Sequence, residues 1–222
     1  MCGRFAFYSP SEATTALFGV DGSLEVEPRY NIAPTQYVAA VRDSNQKQRE
    51  LTMLRWGLIP SWAKDPAIGN RMINARAETV AEKPSFRSAF RHRRCIVLAD
   101  GFYEWHKKGD TKIPHFISLA SREPFALAGL WEHWEDSESG EVVQTMALLT
   151  IAANEFMLPL HHRMPVILRA DTADDWLSGE TDYLENAAQR TPKLCAWPVS
   201  RQMNNARNQG KDLIDPADEI II

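Results

Sequence analysis

Residues 102–120 read FYEWHKKGDTKIPHFISLA. Two runs rich in aromatic and β-branched residues, FYEWHKK and PHFISLA, flank the polar KKGDTK. That is the composition of two strands joined by a hairpin turn. Working outward, similar runs recur along the chain. They are YVAAVRD (37–43), ELTMLRWGLI (50–59), RCIVLAD (94–100), FALAGLWEHW (125–134), VVQTMALLTIAA (142–153), MPVILR (164–169) and LCAWPVS (194–200). Some alternate apolar and polar residues as half-buried strands do, and others are continuous apolar runs. ESGE at 138–141 reads as an exposed hairpin loop.

Helix signals are fewer. YSPSEATTALFG (8–19) offers Ser9 as N-cap, Pro10 at the first helical position, Glu12 three residues after the cap and Gly19 as the stop. ADTADDWLSG (170–179) repeats the pattern, with Asp171 or Thr172 as cap and Gly179 as stop, and a third helix is expected around KPSFRSAF (83–90). Many short strands with few helices describe an α+β, β-rich single domain. Its antiparallel core is barrel-like, with helices flanking it. The core is expected to span about residues 2–214, with DPADEIII (215–222) as a short tail.

Composition narrows the function. The chain has 222 residues, 44% hydrophobic and 24% charged, as in an ordinary water-soluble domain. No run approaches the length of a membrane span, and the N-terminus lacks a signal-peptide core, so a cytoplasmic or nucleoid-associated location is expected. The net charge of −4 argues against bulk attraction to nucleic acid but leaves room for a local basic groove. FRSAFRHRR (86–94) is the densest basic stretch. Cys2, Cys95 and Cys195 are far apart, so neither a metal knuckle nor a redox pair is indicated, and no metal cluster or cofactor motif stands out. Cys95 and Cys195 sit in buried-strand contexts, and Cys2 does not.

Cys2 follows the initiator methionine. If Met1 is trimmed, Cys2 carries a free α-amine and a thiol two carbons apart. Such a 1,2-aminothiol condenses with an aldehyde to an imine and then closes to a thiazolidine. The amine, with an ordinary pKa of about 7.7–8, is usable near neutral pH. Other polar residues interrupt apolar segments: Asn74, Arg76 and Glu78 in MINARAET, Glu104 in DGFYEW, and His161 and His162 in LPLHHRMPVIL. Taken singly, each has an ordinary explanation, as a turn cap, a solvent-facing strand residue or a surface histidine. Trp56, Trp62 and Trp105 likewise read first as core. Together, an N-terminal nucleophile with an Asn, a Glu and a His is what covalent amine–aldehyde or amide-hydrolysing chemistry needs.

MCGRF, RYNIAPT, WGLIPSW, INARAET, DGFYEW, HHRMPVIL and VSRQMNNARNQG occur in that order. The set resembles the SRAP family of SOS response-associated, abasic-site-processing proteins over nearly the whole chain. The resemblance implies covalent capture of abasic sites in single-stranded DNA during the damage response. It implies catalytic roles for Cys2, Asn74, Glu104 and His161, a DNA groove, no cofactor and a monomer. Arg4, Arg76, Arg87, Arg91 and Arg94 are expected on phosphates, Trp62 stacking on a base, and Asn208 in the DNA-facing C-terminal loop. Two other readings stay open at this point: an N-terminal-nucleophile cysteine peptidase that processes Met1, and a non-catalytic reader of modified DNA.

Overall fold

The hairpin expected at 102–120 forms. In the computed structural model, which describes residues 2–20, 25–44 and 48–217, Phe102 to Lys108 pair in unbroken antiparallel register with Ile117 to Thr111. In chain order the elements are β1 (Phe5–Phe7), α1 (Ser11–Ala16), β2 (Arg29–Ile32), β3 (Tyr37–Asp43), β4 (Arg49–Trp56) and β5 (Asn74–Arg76). There follow α2 (Arg87–His92), β6 (Arg94–Ala99), β7 (Gly101–Lys108), β8 (Thr111–Leu119), β9 (Phe125–Glu135) and β10 (Val142–Ala152). The chain then forms β11 (Arg163–Pro165), β12 (Ile167–Leu168), α3 (Ala170–Ser178), α4 (Ala187–Arg190) and β13 (Leu194–Pro198).

Five strands close on themselves in the order β10-β4-β3-β6-β9 and back to β10. The α+β, barrel-centred fold is therefore present. Its pairs are antiparallel except at the seam, where β4 meets β10 in parallel, Arg55 opposite Thr145 and Trp56 opposite Met146. Closure removes the free edges that an open sheet would expose. Fully buried Leu54, Trp56, Val97, Leu127, Met146 and Leu148 share one face of these strands, and Ile96, Leu98 and Leu130 are buried on the other, each worth about 1.5–3 kcal/mol in apolar burial. A second sheet, β13-β8-β7-β1-β2, packs against this barrel. Phe5 and Phe102 on its inner side join the barrel core, while Ala6, Tyr103 and Phe116 on its outer side form a separate cluster with Val199, Met203 and Leu213. Gly101 allows this layering, because a Cβ there would lie 2.2 Å from Phe116 Cζ.

Several local expectations need correction. Ser9 does not cap α1: its amide and hydroxyl go to the Asp100 carboxylate, and the helix starts after Pro10 without a side-chain cap. The N-cap of α3 is Arg169, not Asp171 or Thr172. Thr172 is its third helical residue, whose hydroxyl accepts from the Arg169 amide. Gly179 does stop α3, in the left-handed region at φ 104°. The helix expected at 83–90 begins only at Arg87. MPVILR is split, since Val166 pairs across to both Leu149 and Ala128 and divides the run into β11 and β12. The 138–141 hairpin forms, with the Asp136 carboxylate accepting from the Glu138 and Ser139 amides. Of the expected tail, Pro216 bridges Val199 and Ala217 N–H donates to Pro198, while 218–222 lie outside the described residues.

Candidate active site

The N-terminal segment is pinned at both ends of β1. Buried Asp100 accepts from the Tyr8 amide at 2.6 Å, the Ser9 amide at 2.9 Å and the Ser9 hydroxyl. At the other end the Arg4 carbonyl accepts from the Tyr103 amide, extending the antiparallel run beside β7. Arg4 Nη1 donates to Asn31 Oδ1 at 2.6 Å and to the Met203 carbonyl at 2.9 Å. Held this way, Cys2 is fully buried in the core cluster. This reverses the sequence-based contrast among the cysteines, for Cys195 is the one left partly exposed. The Cys2 thiol points at the Arg4 carbonyl, 3.9 Å away.

Asn74 begins β5, which lies parallel to β10 with Asn74 opposite Leu148. Its Nδ2 donates to the Cys2 carbonyl at 2.8 Å. Its Oδ1 is buried and has no hydrogen-bond partner among the described residues. Glu104 lies one pleat beyond core residue Phe102 on the same face of β7, so it is 3% exposed rather than solvent-facing. Burial raises the Glu104 pKa. Burial also pushes the Cys2 thiol pKa up, and the nearby Glu104 charge adds to that. The thiol is therefore protonated at neutral pH.

His161 ends the segment that follows β10. Its Nδ1 lies 2.9 Å from the Arg163 amide nitrogen and 3.1 Å from the Arg163 carbonyl oxygen, so the Arg163 backbone partners this nitrogen in either tautomer. Partial burial lowers its pKa, favouring the neutral ring. His162 stacks on it with ring centroids 4.3 Å apart. Arg163, next in the chain, is buried. It grips Glu78 through two bonds of 2.6 and 2.9 Å and the Thr150 carbonyl at 2.6 Å. That fork ties the segment after β5 to the histidine segment. Arg163 holds the Glu78 carboxyl below its ordinary pKa.

The residues expected to contact DNA divide into two groups. Arg76, Arg87, Arg91 and Trp62 are exposed, Trp62 at 59%. Arg94 is not available to a phosphate. It is buried against Phe90 and Trp176 and donates to the carbonyls of Phe90, Trp176 and Glu180. Arg4 is half-buried and bound internally, as above. Asn208 is bound on both sides, donating to the Gln202 carbonyl and accepting from Asn31 Nδ2.

Residues that the sequence reading did not assign build the frame of the site. Fully buried Asn31, in RYNIAPT, points its amide at the carbonyls of Met203, Asn205 and Asn208. Gln209 answers from the loop, its Oε1 accepting from the amides of Tyr30 and Asn31. Asp100 and the Arg163–Glu78 pair complete the frame. The available signal was a polar residue inside an otherwise apolar motif. Among the described residues no group of three His, Cys, Asp or Glu side chains could hold a metal ion. No helix among them is long and apolar enough to cross a membrane.

With this geometry in place, the comparisons are informative. Residues 1–206 match the family model described as SOS response associated peptidase (SRAP). The chain is similar to the abasic site processing protein YoaM of Bacillus subtilis, 42% identical over 97% of this chain and 98% of that one. It is also similar to the abasic site processing protein YedK of Escherichia coli, 34% identical over 97% of this chain and 100% of that one. A crystal structure of a protein from Bacteroides thetaiotaomicron superposes with a TM-score of 0.84 at 25% identity, covering 97% of this chain and 100% of that one.

Proposed function

Because the chain belongs to the SRAP family, we propose that it processes abasic sites in single-stranded DNA by covalent capture. Cys2 is the capturing residue, once Met1 has been removed. The observation that carries this reading is the 2.8 Å bond from Asn74 Nδ2 to the Cys2 carbonyl, beside a buried Glu104 whose charge acts on the Cys2 thiol. Three segments far apart in sequence thus meet around the one residue that can offer both an amine and a thiol.

The chemistry follows from the electrostatics. The deoxyribose at an abasic site is mostly a closed hemiacetal. His161, held neutral, and Glu104 move the protons that open it to the C1′ aldehyde. The thiol is held protonated by burial, so the α-amine attacks first. Its lone pair forms the N–C1′ bond as one amine proton passes to the aldehyde oxygen; the second passes through Glu104 to the resulting hydroxyl, which leaves as water. Asn74 Oδ1, an acceptor without another partner among the described residues, receives an N–H or O–H of this adduct. The sulfur then attacks the imine carbon as its proton moves to the nitrogen, closing the thiazolidine. The balance is protein plus DNA minus one water. Ring closure also removes the imine that would otherwise drive β-elimination and nick the strand.

Denaturing electrophoresis with a single-stranded oligonucleotide carrying one abasic site tests this. The wild-type chain gives a stable shifted band. Cys2→Ala, with Met1 removed, gives no stable band and cleaves the strand through a transient Schiff base. A stable band of equal yield from Cys2→Ala would overturn the thiazolidine assignment.

A further inference from the structure

We propose that His106 is a positioning residue for the capture reaction: its bond to the Pro159 carbonyl sets where His161 stands relative to Glu104. The inference rests on the function proposed above and deepens it.

Along β7, Phe102, Glu104 and His106 share one face, and Tyr103 and Trp105 turn to the other. The register is unbroken here, with Glu104 opposite His115 and His106 opposite Ile113. His106 is therefore the next side chain along the face that carries Glu104. The segment bearing His161 leaves β10 and folds into a closed turn. Its ends meet where the Ala153 amide donates to the His162 carbonyl at 3.1 Å. Inside, the Met157 amide donates to Asn154 Oδ1 at 3.0 Å, and the His161 amide donates to the Met157 carbonyl at 2.9 Å. These bonds fix the internal shape of the turn. Buried Met157, with Leu160 packed beside it, seats the turn against the core cluster.

His106 supplies a direct bond from this turn to β7. Its Nδ1 lies 2.8 Å from the Pro159 carbonyl oxygen. A carbonyl only accepts, so Nδ1 carries the proton and donates. Pro159 is two residues before His161, and His106 is two residues after Glu104. One hydrogen bond thus couples the strand that holds the carboxylate to the turn that holds the imidazole. The His106 ring is braced edge-on by His115, with centroids 6.0 Å apart. Reacting groups must be held within a fraction of an ångström, and a misplacement of about 1 Å costs about 100-fold in rate.

The test uses the full chain and a single-stranded oligonucleotide with one abasic site. The saturating capture rate and the half-saturating DNA concentration are measured for wild type, His106→Ala, His106→Gln and His106→Asn. The Asn amide nitrogen occupies the position of Nδ1, whereas the Gln amide nitrogen reaches the position of Nε2. The expected result is a saturating rate lowered about ten- to 100-fold in the Ala and Gln variants. The half-saturating concentration stays within about twofold, and the Asn variant recovers most of the rate. An unchanged rate in His106→Ala overturns the proposal, as does an equal loss in the Ala and Asn variants or a loss confined to half-saturation. A wild-type chain that captures no DNA overturns the function itself and is thereby distinguished from failure of the His106 assignment.

Discussion

Replacing Asn31 by Ala tests the frame that holds the C-terminal loop and Arg4 in place. Asn31 is fully buried. Its Nδ2 lies 3.1, 3.0 and 3.0 Å from the carbonyls of Met203, Asn205 and Asn208, and its Oδ1 accepts from the Arg4 guanidinium at 2.6 Å. An amide nitrogen has only two hydrogens, so three carbonyls share the equivalent of two bonds. Two neutral bonds at about 1 kcal/mol each, with one charge-assisted bond at about 1.5–3, put the loss near 3.5–5 kcal/mol. For a chain of this size each kcal/mol lowers the melting temperature by about 2–4 °C, so a fall of about 10 °C is expected by calorimetry or circular dichroism. Asn31→Asp keeps the bond to Arg4 but sets a carboxylate against three carbonyls, and it is expected to fare no better than Ala. Hydrogen exchange would place the loosening at 203–209. A melting temperature lowered by less than about 2 °C in Asn31→Ala would refute the claim that this side chain closes the loop.

Further outcomes follow from the same geometry. Glu104→Gln removes the proton shuttle and should lower the capture rate by about 100-fold or more with little change in DNA affinity, read from rate against DNA concentration. Glu78→Gln removes the carboxylate that Arg163 holds below its ordinary pKa. A depressed carboxyl stabilises the fold above its unfolded pKa and loses that contribution as pH falls through the folded value. The stability difference between wild type and Glu78→Gln, measured by urea unfolding, should therefore be full at pH 7 and shrink below about pH 4. Gly57→Ala forces a side chain onto a φ of 129° with its Cβ 2.6 Å from the Gly69 carbonyl oxygen, and should cost about 2 kcal/mol or more in thermal unfolding. With Arg94 withdrawn into the fold and Arg4 bound internally, Arg76, Arg87 and Arg91 are the exposed arginines left to the proposed phosphate contacts. Three contacts predict a log–log salt slope near −2 for single-stranded DNA, against zero if the groove assignment is wrong.

Local signals carried much of the architecture. The 102–120 hairpin and most strands were readable because alternation and turn composition act within a few residues. The parallel β4–β10 seam was not, since it joins positions about ninety residues apart and leaves no periodic mark on either strand. The cap at Ser9 failed for a related reason. A long-range carboxylate, Asp100, took up the hydroxyl that local rules give to the helix. For the candidate site, the motifs pointed to Cys2, Asn74, Glu104 and His161 as residue types, while the meeting of Cys2, Asn74 and Glu104 required the fold. Burial of Glu104 follows from its place one pleat after Phe102, a fact of register rather than of composition. Arg94 shows the opposite error. A basic run suggested a phosphate contact, but its last arginine starts β6 and is buried against α3.

The most direct measurement is the intact mass of the purified protein before and after incubation with single-stranded DNA carrying one abasic site. The account predicts a chain lacking Met1, and then a new species at the mass of that chain plus the DNA minus one water, with the modification mapping to Cys2. A chain that keeps Met1 and gains no mass, or an adduct that maps to another residue, would contradict it.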